Sequence, residues 1–161
     1  SKAEQQVGSG QFLEAIDTLS GAVGKVWEQT PLTVRKALFV SGDPPGFGLY
    51  TPRPDNVFKA SEVLVVYAEP VGYGFGKEGD QNVIDLAVDV ELKNKAGQVL
   101  GAKADFGQLK LVSHAQNHEF MAKLSYNFSG LPAGEYEVVT TLRDATSGKT
   151  GSFSLPFTIV P

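Results

Sequence analysis

Cysteine is absent from this chain. That excludes thiol nucleophiles, disulfide staples and thiolate-held metal together. Histidine is nearly absent, with His114 and His118 the only two. A base buried beside a nucleophile therefore has few candidates, and no Ser-His-Asp set is readable. Basic residues form no cluster, and the net charge is −4. A binder of the phosphate backbone needs a concentrated positive face, so nucleic acid is not an expected partner. No apolar run approaches the ~20 residues that cross a bilayer, so no transmembrane segment is expected. No signal peptide opens the chain, and Ser1 reads as the start of a mature or trimmed protein.

What is present suits one globular domain. The 161 residues include 42% apolar and 20% charged side chains. A chain of this length buries about 70% of its unfolded surface. Residues 1–10 are polar and contain glycine, and read as a disordered lead. From Gln11 the pattern changes: Phe12, Ile16, Leu19, Val23, Val26 and Trp27 recur at steps of three and four. That predicts an amphipathic helix over 11–30. Gly21 and Gly24 each weaken it by up to ~1 kcal/mol. Its stripe is too apolar for water, so it is expected to pack on the rest of the chain or to form a homodimer with a second copy. Thr30-Pro31 ends it, because a residue before proline avoids the helical region.

After Pro31 the signals are those of strands. Thr33 to Ser41 reads as the first, and Glu62 to Glu69 as a central one. The core of the latter, Val63 to Ala68, is apolar on both faces, so something should cover its outer side. Val83 to Lys93 alternates cleanly: Ile84, Leu86, Val88, Val90 and Leu92 face one way, and Asp85, Ala87, Asp89 and Glu91 the other. Asn94 to Gly97 reads as a hairpin turn. Leu100 to Phe106 and Leu109 to His114 read as two further pieces, with Gly107 marking a bulge. Phe120 to Phe128, Tyr136 to Leu142 and Phe153 to Ile159 complete the alternation. Seven or eight short strands with turn signals between them predict a mainly β fold, an antiparallel immunoglobulin-like β-sandwich over 31–161 with one N-terminal helix.

The tail LPAGEYEVVTTLRDATSGKTGSFSLPFTIV resembles the last hairpin of many immunoglobulin-like sandwiches of secreted bacterial proteins. Tyr136 sits where such sandwiches place the tyrosine of a tyrosine corner. A wider resemblance runs from Trp27 to Pro161, through PLTVRKALFV, FGLYTPRPDNVFK, EVLVVYAEP, a G-Q hairpin and LPAGEY. In that order these segments are similar to an uncharacterised family of bacterial extracytoplasmic sandwich domains with an N-terminal helix and no known activity. The resemblance implies a periplasmic or secreted setting and supplies no catalytic residues.

Five groups of residues carry chemistry worth weighing. Arg143 to Thr150 nearly matches a phosphate-binding loop, but it lacks the first glycine and a strand follows it, so a hairpin turn on Gly148 is expected. Gly72-Tyr73-Gly74-Phe75-Gly76 lacks dinucleotide-binding spacing and reads as a flexible or closely packed loop. His114, His118 and Glu119 could converge on zinc or copper across a turn, but no fourth ligand is evident, so no metal and no other cofactor is expected. Asp85, Asp89 and Glu91 share a strand face, read first as a solvated one. The strongest recognition candidates are Phe47, Tyr50, Arg53, Tyr73 and Phe75, in loops rich in glycine and proline. Phe47 and Tyr50 offer flat apolar area and Arg53 a planar donor; if the two loops share an end of the sandwich, they make one aromatic patch.

These readings lead to a non-catalytic binding or protein-interaction module of the cell envelope. A small-molecule or glycan binder using the aromatic loops is the alternative, and a metal-dependent hydrolase ranks last.

Overall fold

The computed structural model describes residues 1–161, and they divide into two units, 1–30 and 31–161. The first unit is a helical hairpin. α1 spans Lys2–Gly8 and α2 spans Phe12–Gln29. The polar composition of 1–10 predicts a disordered lead, yet Ser1 caps α1, its hydroxyl accepting from the Glu4 N–H. That side chain satisfies one of the amides a helix start leaves unpaired. Gly10, at φ +76°, lets the chain turn back. Ala3 and Ala15 are buried between the helices, and Thr18 donates to the Gln6 side chain at 2.9 Å. α2 ends at Thr30, whose ψ of 130° suits the residue before Pro31.

The second unit is a mainly antiparallel β-sandwich of nine strands in two sheets. They are β1 (Thr33–Phe39), β2 (Val57–Lys59), β3 (Leu64–Val71), β4 (Gly76–Glu78), β5 (Gln81–Asn94), β6 (Val99–Ser113), β7 (Ala122–Tyr126), β8 (Gly134–Asp144) and β9 (Thr150–Val160). One sheet has the order β1-β3-β7. The other runs β2-β9-β8-β5, with β6 on the far side of β5 and β4 pairing the start of β5. β2 runs parallel to β9, while the remaining pairs are antiparallel.

The alternation read from the sequence is the one the sheets use. Ile84, Leu86, Val88, Val90 and Leu92 are all buried, as are Tyr136, Val138, Thr140 and Leu142 on β8. Each such aliphatic side chain stabilises the fold by roughly 1.5–3 kcal/mol through burial. Tyr126 on β7 meets Thr140 on β8 across the core, hydroxyl to hydroxyl at 2.7 Å, so the two sheets are also joined by a buried polar bond. Burial pushes the Tyr126 phenol up to about 12. Phe39, Phe58 and Phe157 close one region of the core edge to face. Tyr136 donates to the Pro132 carbonyl at 2.9 Å, the tyrosine-corner bond anticipated from the tail.

β6 is one strand rather than two pieces. Between Val88 and Val90 its register against β5 slips by two, so that Ala104, Asp105 and Phe106 stand opposite the single Asp89. Asp105 takes φ +50° there and donates its N–H to Asp89 at 2.8 Å. Arg143 grips Asp89 through two bonds of 2.7 and 3.0 Å and also holds Asp105. The Arg143 guanidinium keeps the Asp89 carboxyl below the usual aspartate range.

Candidate functional site

The outer face of the three-stranded sheet holds the densest arrangement of polar and aromatic groups. Leu64, Val66 and Ala68 on β3 pair with Tyr126, Leu124 and Ala122 and look into the core. Tyr67 and Glu69 therefore point outward, yet both are buried, at 0% and 5% exposure. What covers them is the long connection after β1. It crosses the sheet as a strap fixed at all three strands. On β1, Lys36 donates to the Tyr50 hydroxyl at 2.9 Å. On β3, Tyr50 stacks on Tyr67, ring centroids 4.3 Å apart, and the Gly48 N–H donates to the Tyr67 hydroxyl at 2.7 Å. On β7, Lys123 pairs with Asp43 at 2.8 Å. The prolines at 44 and 45 stiffen the crossing, and Gly48, at φ +72°, gives the bend that turns its N–H toward Tyr67.

Beneath the strap, Tyr67 donates to Glu69 Oε1 at 2.8 Å. Arg35 lies 3.5 Å from Glu69 Oε2. A bulge in β1 makes that possible: Val34 faces Pro70 and Lys36 faces Glu69, so Arg35 is an extra residue and two cations flank one carboxylate. Burial pushes the Tyr67 phenol above its ordinary value, and the bond to Tyr50 raises the Lys36 ammonium. Around this sealed centre the exposed groups are Arg35, Lys36 and Leu49, the last 60% exposed, with Phe47 half-buried beside it.

The structure separates the other recognition candidates from this face. Arg53 is committed within its own loop. It donates to Glu62 and to the Val57 carbonyl, each at 2.8 Å, and its guanidinium lies 4.1 Å from the centre of the Phe58 ring. It holds the approach to β2 rather than offering a planar donor. Tyr73 and Phe75 follow the opposite end of β3 from the strap's entry, so the two loops do not make one patch. Tyr73 is 1% exposed and donates to the Asn117 carbonyl at 2.7 Å, with Phe75 and Phe120 edge-on to it.

The glycines around Tyr73 serve close packing. Asp144, buried at the end of β8, accepts from the Gly74 N–H at 2.6 Å and from Thr146 N–H at 2.9 Å, while Lys149 donates to the Gly72 carbonyl at 2.9 Å. A Cβ at Gly74 would lie 3.0 Å from Thr146 Cγ2. The Arg143–Thr150 segment is accordingly a hairpin turn, with Gly148 at φ +71°.

His114 is exposed, and the His118 ring sits 5.3 Å from Phe75, edge to face. No three His, Asp or Glu side chains gather where they could hold a metal. On the solvent face of β5, Asp85 accepts from Gln108, Asp89 is held by Arg143, and Glu91 pairs with Lys93. An apolar cleft of about 330 Å³ opens between the sheets, lined by Val90, Leu92, Ala102, Lys103, Phe106 and Phe128 among others.

Glu69, Arg35 and Lys36 were not among the residues read as functional. The available signal was Glu69 itself, a carboxylate inside the apolar run VLVVYAEPV.

No family model matches the chain, and no curated protein matches it. Among solved structures it is similar to Spo0M, a sporulation control protein from Bacillus subtilis, at 12% identity and a TM-score of 0.41. That match covers 82% of this chain and 50% of Spo0M, so the chain spans about half of Spo0M's length. It is also similar to the CARDB domain of a Pyrococcus furiosus protein in complex with di-metal ions, at 12% identity and a TM-score of 0.35, covering 81% of this chain and 95% of that domain. At those scores neither lends a residue or an activity to this chain. No helix is long and apolar enough to cross a membrane.

Proposed function

We propose that the protein is a non-catalytic binding module of the cell envelope, outside the cytoplasm, which takes a protein partner on the strapped face of its three-stranded sheet. One observation carries this reading: a loop fixed to all three strands presents an exposed Leu49, whose chain neighbours Gly48 and Tyr50 are bonded to Tyr67 and Lys36, on the face that also exposes Arg35. A surface held this rigidly loses little entropy on binding. An exposed leucine next to two positive groups fits a partner segment that is apolar and acidic. A sugar fits less well, because stacking needs an open ring face. One face of Tyr50 lies on Tyr67, and Lys36 sits 5.4 Å from its ring centre.

The test is a native pull-down from the envelope fraction of the source organism, comparing the wild type with Leu49→Asp. The Leu49 side chain is exposed and holds none of the strap's bonds, so the variant should keep its circular dichroism spectrum and melting temperature while losing the partner. A folded variant that retains the partner would move the working surface elsewhere. The small-molecule alternative has its own place, the apolar cleft, whose volume lies near the low end of ligand pockets at roughly 300–1,000 Å³. Binding of apolar ligands that is abolished by Phe106→Trp would favour it over the strapped face.

A further inference from the structure

We propose that the helical hairpin is a self-association element, with α2 of one chain pairing along α2 of a second copy. The observation is independent of the strapped face. Phe12, Ile16, Leu19, Val23 and Val26 are each more than half exposed. Their spacing is four, three, four, three, the alternation that keeps a seam on one side of a helix when two helices wrap together. Leu13, three-quarters exposed, widens the stripe, and Val7 on α1 is also about half exposed. This apolar area is far beyond the scattered exposed residues normal for a monomer. It is on the order of the ~800 Å² that each partner gives to a standard-size interface.

Charge selects the occupant. Seen down the helix, the positions flanking the seam are Leu13, Ala15, Ser20, Ala22 and Trp27, none of them charged. Glu14, Asp17 and Glu28 lie around the opposite side with the single cation Lys25. Two copies can therefore close on each other without setting like charges together. A helix made for lipid carries Lys and Arg on its polar face to meet anionic headgroups, and this face is acidic. Gly21 and Gly24 cost isolated α2 stability, which pairing restores.

The absence of cysteine provides a clean test. The seam from Phe12 to Val26 is centred on Leu19, so Leu19 meets its counterpart whether the helices pair parallel or antiparallel. The full chain carrying Leu19→Cys should form a reducible covalent dimer under mild oxidation, and Asp17→Cys, on the polar side, should not. Sedimentation of the wild type should give twice the 17.2 kDa chain mass. Leu19→Asp/Val23→Asp should raise the dimer dissociation constant by at least ~100-fold, since it places carboxylates in an apolar seam. Retained β-sheet circular dichroism would show that the sandwich survives. A monomeric wild type at ~100 μM would overturn the proposal, whether α2 then packs on its own sandwich or the chain co-sediments with phosphatidylglycerol vesicles. So would a dimer indifferent to the double substitution, or cross-linking at position 17 and not at 19.

Discussion

Replacing Tyr67 by phenylalanine removes one oxygen atom and isolates what that atom does. The ring, its burial and its stacking on Tyr50 all remain. The donor to Glu69 and the acceptor for the Gly48 N–H are lost. The bond to Glu69 is charge-assisted and buried, which places its contribution at ~1.5–3 kcal/mol. The Gly48 bond counts for less, about 0.5 kcal/mol, because Gly48 is exposed and its amide can turn to water. Together they come to roughly 2–3.5 kcal/mol, and for a unit of this length the melting temperature should fall by about 6–14 °C. The loss is also local. With its acceptor gone, the Gly48 amide should exchange with solvent at least ~10-fold faster, while amides of β5 and β8 change only by the global destabilisation. Calorimetry and residue-resolved hydrogen exchange read the two effects separately. An unchanged melting temperature together with unchanged Gly48 exchange would refute the reasoning: the strap would then be held by its prolines and the Tyr50 stack alone. A fall in stability without faster Gly48 exchange would show that Glu69, not the strap, depends on the hydroxyl.

Two further outcomes follow from buried groups. Asp144→Ala strands the Gly74 and Thr146 amides and frees the Ser147 hydroxyl, so thermal unfolding should shift by ~3 kcal/mol; a melting temperature within ~2 °C of wild type would show that water replaces the carboxylate. Burial raises the phenols of Tyr67, Tyr73 and Tyr126 above the ordinary 10.0. A raised folded-state value means stability that is complete below pH 10 and is lost as pH climbs past it. In an alkaline titration, three of the five tyrosines should gain phenolate absorbance only as near-ultraviolet circular dichroism collapses, and five titrating together in the folded protein would contradict it.

The readings that held were local ones. Alternation on β5 needs only a period of two, and Tyr136 needs only a turn four residues before it, so both were legible in the chain. Asn94 to Gly97 also carries its own turn chemistry: Gly97 takes φ +82° and the Asn94 side chain accepts two amides. β2 and β4, three residues each, are too short to show a period, and β6 was divided because its bulge breaks the alternation at Asp105. A similar limit applied to residues 1–10, where a polar composition concealed a capped helix.

The candidate site was legible as a demand rather than as a set of residues. A central strand apolar on both faces requires a cover, and composition does not say which segment supplies it. The strap covers Tyr67 and Glu69, through contacts that join Asp43 to Lys123 and Tyr50 to Tyr67. Those pairs lie far apart in sequence and follow no spacing rule; they exist because the turn at Gly46 to Leu49 folds the loop back over its own sheet. Tyr73 failed as an exposed aromatic for a related reason. The glycines beside it read equally as a flexible or a closely packed loop, and close packing is the one found: Gly74 is small because Thr146 stands 3.0 Å from where its Cβ would be. Glycine in a loop is thus evidence either of motion or of close approach. The companion residue decides between them: Asp144, buried with an acceptor to spare, marks close approach at Gly74.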